Sequence, residues 1–245
     1  MSLLPIESNY GASLLEVHWA AQLAAAASRL LTPCADYSHT NLLVEGECLQ
    51  GRPLPDGRRA GLIPKSLTLT LGQASLELAG HTLSHGLAWL SAELGHDLSL
   101  LEHDLPERPR DAPFRLCGAE SQLQAWFVAA QAALGQLAAA HGGSEVRLWP
   151  HHFDIATLVE LDPGRSEPAR SINVGLSPGD GAYPEPYWYV TPWPRPTGQL
   201  PALSVGHWHT AGFVAAVLPA SNPQSDMPMC FLEETYLASL KLLQA

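Results

Sequence analysis

The amino-acid sequence predicts an α+β fold, with a largely antiparallel or mixed sheet covered by helices. Three observations carry that expectation. Leu67, Leu69 and Leu71 alternate with Thr68 and Thr70, Leu76 and Leu78 alternate with Ser75 and Glu77, and Gly72-Gln73 lies between them. Alternation of period two on both sides of a turn signal is a β-hairpin with one buried face. Leu123, Phe127, Ala130, Leu134 and Leu137 form one stripe of a segment from Ala119 to Ala140 that stops at Gly142-Gly143, as an amphipathic helix with a glycine terminus does. Finally, the order helix, strands, helix occurs twice. It points to two α+β halves, residues 1–113 and 114–245, built either as a duplicated helix-strands-helix unit or as one compact domain with two similar layouts.

The remaining elements follow in order. Ser13-Leu14-Leu15-Glu16 has the spacing of a capping box, in which hydroxyl and carboxylate satisfy the first free amides of a helix. That helix runs through the Ala-rich segment to Leu31, ahead of Pro33, which cannot continue it. Asn41 to Leu49 reads as a strand, and the Pro/Gly-rich stretch Gly51 to Pro64 as a loop enclosing a short strand. Leu83, Leu87, Leu90 and Leu94 give a helix from Thr82 to Leu94, and Leu101 to Pro113, rich in proline and charge, reads as a connector. Strands are expected at Glu145–Trp149, Phe153–Leu161, Ser171–Leu176, Tyr187–Thr191 and Gly212–Leu218, before a last helix over Phe231 to Leu243.

Composition narrows the function. A chain of 245 residues that is 46% hydrophobic buries a substantial core. Its 24 acidic residues outnumber 13 basic ones, a formal charge of −11 that repels phosphate backbones and anionic lipid. Arg58-Arg59 is the longest basic run, so neither nucleic acid nor membrane is an expected partner. The N-terminal residues carry no basic segment followed by an apolar one, and the most apolar window, Val17 to Leu31, is broken by His18, Gln22, Ser28 and Arg29. A soluble cytoplasmic protein is the expectation, with Cys34, Cys48, Cys117 and Cys230 as reduced thiols.

The chemistry concentrates between Trp149 and His209. If a strand begins at Phe153, His152 and Asp154 share one of its faces, and a carboxylate beside an imidazole supports general-base catalysis. The plainer alternative has His152 capping a turn and Asp154 accepting backbone amides. Asp180 and Glu185 stand on a Gly/Pro-rich loop, either as binding carboxylates or as solvated acids on a shaped turn. Tyr187, Tyr189 and Trp193, with Trp149 and His151, offer flat apolar surface with polar tips, suited to a pocket wall or to a core. His207 and His209 point the same way on an extended segment and form a bidentate metal element, which His152 and Asp154 would complete as the first shell of a divalent metal; ordinary hydrogen-bonded histidines are the alternative. No nucleophile elbow, phosphate loop, dinucleotide fingerprint or H-E-x-x-H occurs. His81 and His85, with Thr82 where a zinc protease needs glutamate, read as histidines that cover a sheet edge or face solvent.

The pattern W-P-x-H-F-D at Trp149 to Asp154, then S-P-G-D-x-x-x-P-E-P-Y over Ser177 to Tyr187 and Y-V-x-P-W over Tyr189 to Trp193, resembles that of an uncharacterised bacterial domain family of unknown function. Similar motifs occur in C-terminal parts of actinobacterial maleylpyruvate-isomerase-like proteins. The isomerase activity there concerns a neighbouring helical-bundle domain, so the resemblance implies a shared fold and no reaction. Three readings stay open. One is a small-molecule binding module with an aromatic-walled pocket containing acids and histidines. The second is an enzyme, metal-assisted or using His152 with Asp154, acting on a small polar substrate. The third is a homodimeric interaction domain whose aromatic strands form the dimer interface, a homo-oligomer being the partner it implies.

Overall fold

Alternating leucines and threonines build the first sheet. In a computed structural model, which describes residues 5–101, 103, 105–164 and 169–244, β1 (Leu43–Glu45), β2 (Cys48–Gln50), β3 (Ala60–Ile63), β4 (Thr68–Leu71) and β5 (Ala74–Glu77) form an antiparallel meander in chain order. The register sets Leu49 opposite Leu62, Leu62 opposite Leu69 and Leu69 opposite Leu76, so one face is a leucine row. Helix α1 (Tyr10–Ala26) lies against β3 and β4 and beside α2 (Leu83–Leu94). It is buried on nearly every side, which suits its alanines. Gly86 on α2 is the point of closest approach, since a Cβ there would stand 2.6 Å from a Leu23 methyl.

Two sequence expectations change here. Asn41 to Leu49 is not one strand but the start of a hairpin, turned at Gly46 with φ 61°. Ser13 and Glu16 do not cap α1, which begins earlier, after Asn9. The Ser13 hydroxyl instead donates to Glu120 (2.9 Å) and accepts from the amide of Ala119 (3.0 Å), while Glu120 also accepts from the amides of Cys117 and Gly118. A hydroxyl from one helix and a carboxylate from another thus cap the start of α3 (Glu120–His141). Glu16, buried, pairs with buried Arg108 at 3.0 Å.

Longer and more aromatic strands build the second sheet. Its order is β10 (His207–His209), β11 (Ala215–Pro219), β9 (Tyr187–Trp193), β8 (Ser171–Ser177), β7 (Asp154–Glu160) and β6 (Arg147–Trp149). Ile155, Thr157 and Val159 line up with Ile172, Val174 and Leu176, and these with Trp188, Val190 and Pro192. That face packs under α4 (Pro228–Gln244), with the Trp188 indole donating to the Ser225 carbonyl at 3.2 Å. The ring of His141, at the end of α3, lies 4.1 Å from that of Tyr236 on α4. The sheets differ in strand number and order, because β9 pairs with β11 and β10 is added outside it.

The chain separates into two compact units, one of Glu7–Val128 with Arg147–Phe153, the other holding Ala129–Val146 and Asp154–Ala245. Among the described residues, no helix is long and apolar enough to cross a membrane.

Candidate functional site

The residues named from sequence fall into two groups. In the first unit, Trp149, His151 and His152 belong to a tight turn closed by the Phe153 amide on the Trp149 carbonyl at 2.7 Å. Phe153 adopts φ 60°, an unusual conformation for a bulky residue. Its ring is buried, stacked 4.6 Å from His18 and set edge-on to Phe127 at 5.2 Å. The Pro150 carbonyl accepts from His18 Nε2 (2.8 Å) and Gln22 Nε2 (2.7 Å), both on α1. A carbonyl only accepts, so His18 carries its proton on Nε2.

Around that turn, His151 lies 4.4 Å from His152 and 5.3 Å from His103, ring to ring. Burial first, and the neighbouring imidazoles after it, push His18 and His151 down to about 4. Burial also lowers His103. These histidines are therefore neutral at pH 7, packed as rings. The turn changes the expected strand geometry of His152 and Asp154. With Phe153 left-handed, His152 lies in the turn and β7 begins at Asp154, so the two are not alternate residues of one strand.

In the second unit, Tyr187, Tyr189, Thr191 and Trp193 occupy the face of β9 opposite α4, and His207 and His209 stand on the same face, with the row His207, Val217, Tyr189 running across β10, β11 and β9. Tyr189 donates to Asp154, two strands away. It reaches there because its ring lies across Gly175, directly opposite on β8; a Cβ at 175 would stand 2.5 Å from the phenol and 2.7 Å from the Ile155 carbonyl oxygen. Tyr187 donates to Asp180 at 2.6 Å. Asp180 is itself fixed by the amides of Ala182 (2.8 Å) and Tyr183 (3.0 Å). Burial and then the adjoining carboxylates hold the Tyr187 and Tyr189 phenols well above the ordinary tyrosine range, so both stay protonated donors.

Tyr183 completes the array. Its hydroxyl lies 2.8 Å from His207 Nε2 and 3.1 Å from His209 Nδ1, while His209 Nε2 lies 2.7 Å from the Ala211 carbonyl oxygen. The proton inventory orders this chain. His209 Nε2 donates to the Ala211 carbonyl, which only accepts; in the tautomer with that single ring proton, Nδ1 accepts from Tyr183, whose oxygen then accepts from His207 Nε2. Phe213 stacks on His209 at 4.4 Å. Arg195 donates to the Thr210 and Gly212 carbonyls (3.2 Å each) and so braces the β10–β11 turn.

The structure therefore gathers Asp154, Asp180, Tyr187, Tyr189, His207 and His209 on one face, with exposed Trp193 further along it. Glu185 is not among them. It accepts from the Ser221 amide (2.5 Å) and hydroxyl (2.8 Å), a brace between two loops. The proposed metal shell of His152, Asp154, His207 and His209 is also corrected: among the described residues, no group of three or more His, Cys, Asp or Glu is placed to hold an ion. Tyr183 and His103 were not singled out from sequence. Tyr183 sits in the predicted Asp180–Glu185 loop, and its place between two turn prolines and glycines was the only signal. No protein-family model, curated protein or solved structure matches this chain.

Proposed function

We propose that the protein is a small-molecule binding module whose site is the tyrosine face of the second sheet. The observation that carries this reading is the fixed row of phenols: Tyr183, Tyr187 and Tyr189 each hold a defined hydrogen bond to His or Asp, beside the exposed rings of Trp193 and Phe213. Groups already locked by neighbours lose little freedom when a ligand arrives, which is what preorganisation contributes to affinity. Aromatic faces backed by Asp154 and Asp180 favour a planar or cationic ligand over an anionic one.

The test is a fluorescence titration with planar aromatic cations and with aromatic carboxylates of similar size. The cations are expected to quench Trp193, and Trp193→Ala to lose binding while changing stability by no more than about 0.5 kcal/mol, as for exposed positions generally. A preference for the carboxylates, or full affinity in Trp193→Ala, would contradict the proposal.

A further inference from the structure

We infer that Tyr183, His207 and His209 form a mononuclear site for a divalent transition-metal ion, copper(II) foremost, that enters from the exposed His207 side. The site is distinct from the four-residue shell corrected above, since its third donor is a phenol and it needs neither His152 nor Asp154. It rests only on the geometry around Tyr183 and stands whether or not the Trp193 surface takes an organic ligand.

Several features point to it. Two imidazole nitrogens from alternate residues of β10 converge on one phenolic oxygen, at 2.8 and 3.1 Å. Ligands bonded to one ion at roughly 2.0–2.1 Å stand roughly 3 Å apart, which is the spacing of the phenolic oxygen from each of the two imidazole nitrogens. His209 presents Nδ1 while its Nε2–H is anchored on the Ala211 carbonyl at 2.7 Å. That outer bond is how metal-ligating histidines are oriented and made more basic. The ring is further held by Phe213, and the turn behind it by Arg195.

The placement of the other two donors is equally fixed. Gly206, before His207, adopts φ +74° in a position where a Cβ would stand 2.4 Å from the Val217 carbonyl oxygen, so the approach to β10 has one backbone path. Tyr183 sits on the loop that Asp180 ties through two amides. The Asp180 carboxylate on the same loop places a negative charge near the donors, which favours a bound cation. Binding then breaks the phenolic O–H bond, its proton passing to water, and moves the His207 ring proton from Nε2 to Nδ1, so that the phenolate oxygen and His207 Nε2 each form a bond to the metal with no change of oxidation state. Two imidazoles and a phenolate suit copper(II), which also leads the affinity order of the divalent first-row ions.

The experiment uses untagged full-length protein titrated with copper(II) sulfate, followed by electron paramagnetic resonance and visible absorption. One equivalent is expected to bind, with nitrogen hyperfine structure from two imidazoles and a phenolate-to-copper charge-transfer band. Tyr183→Phe should lose that band yet keep the nitrogen pattern, and His207→Ala with His209→Gln should lose both while the far-ultraviolet circular dichroism stays unchanged. Absence of copper binding, a charge-transfer band that survives Tyr183→Phe, or an undiminished nitrogen signal in the double histidine variant would overturn the assignment.

Discussion

The two units use histidine in opposite ways. In the first, His18, His103, His151 and His152 crowd around one turn, where their neighbours are rings, a proline carbonyl and one another. Burial first, and the neighbouring imidazoles after it, hold His18 and His151 neutral. In the second, His207 and His209 stand at a sheet edge against a phenol and a carbonyl, with Asp180 close to that phenol. The first group is packing for the left-handed Phe153 turn. The second is a hydrogen-bonding array with one side open to solvent. The density of histidines in a stretch of sequence does not separate these roles; the groups that face each imidazole do.

The largest effect that can break the comparison is at Phe153. Its ring holds His18 and Phe127 together, so Phe153→Ala is expected to cost about 3–5 kcal/mol in chemical denaturation, as for other buried aromatics. A cost below 1 kcal/mol would mean that the turn is not packed as described.

Next comes the pH dependence of the same cluster. The folded pKa of His18 is depressed from 6.5 to about 4, so the unfolded chain binds its proton first. This contribution to stability is complete above pH 6.5, shrinks as pH falls from 6.5 to 4, and is gone below that. Its size is on the order of 3 kcal/mol, and His151 adds a loss in the same direction. His18→Gln, which keeps a donor for the Pro150 carbonyl, should flatten the decline between pH 6.5 and 4. An unchanged slope would remove His18 from the account.

A smaller effect sharpens the other side. Gly175→Ala puts a Cβ into the Tyr189 ring and against the Ile155 carbonyl, and is expected to cost about 1–3 kcal/mol. It should also perturb the Tyr189–Asp154 bond, read as a shift of the Tyr189 ring resonances. A neutral Gly175→Ala would show that the ring does not need to cross β8.

How much of this could be read from sequence depends on how local each interaction is. The leucine–threonine hairpin and the stripe on α3 were legible because period and turn chemistry act within a few residues. Tyr187, Tyr189 and Asp180 were legible as a group because one loop and one strand carry them. Three features were not. Phe153 in the left-handed region has no compositional signal, since packing against His18 and Phe127 selects it. Ser13 and Glu16 have the spacing of a local cap, yet each bonds a partner about a hundred residues away, a choice local spacing cannot encode. Tyr183 meets His207 and His209 only because β11 pairs with β9 and carries β10 on its far side, and strand order is a long-range outcome.

The central claim is that binding belongs to the tyrosine face and not to the Phe153 turn, and nitrogen-15 nuclear magnetic resonance of the histidine side chains tests it directly. During titration with a planar aromatic cation, the imidazole signals of His207 and His209 should move together with the Trp193 indole, while those of His18, His103, His151 and His152 stay in place. Movement confined to the histidines of the Phe153 turn would contradict the account.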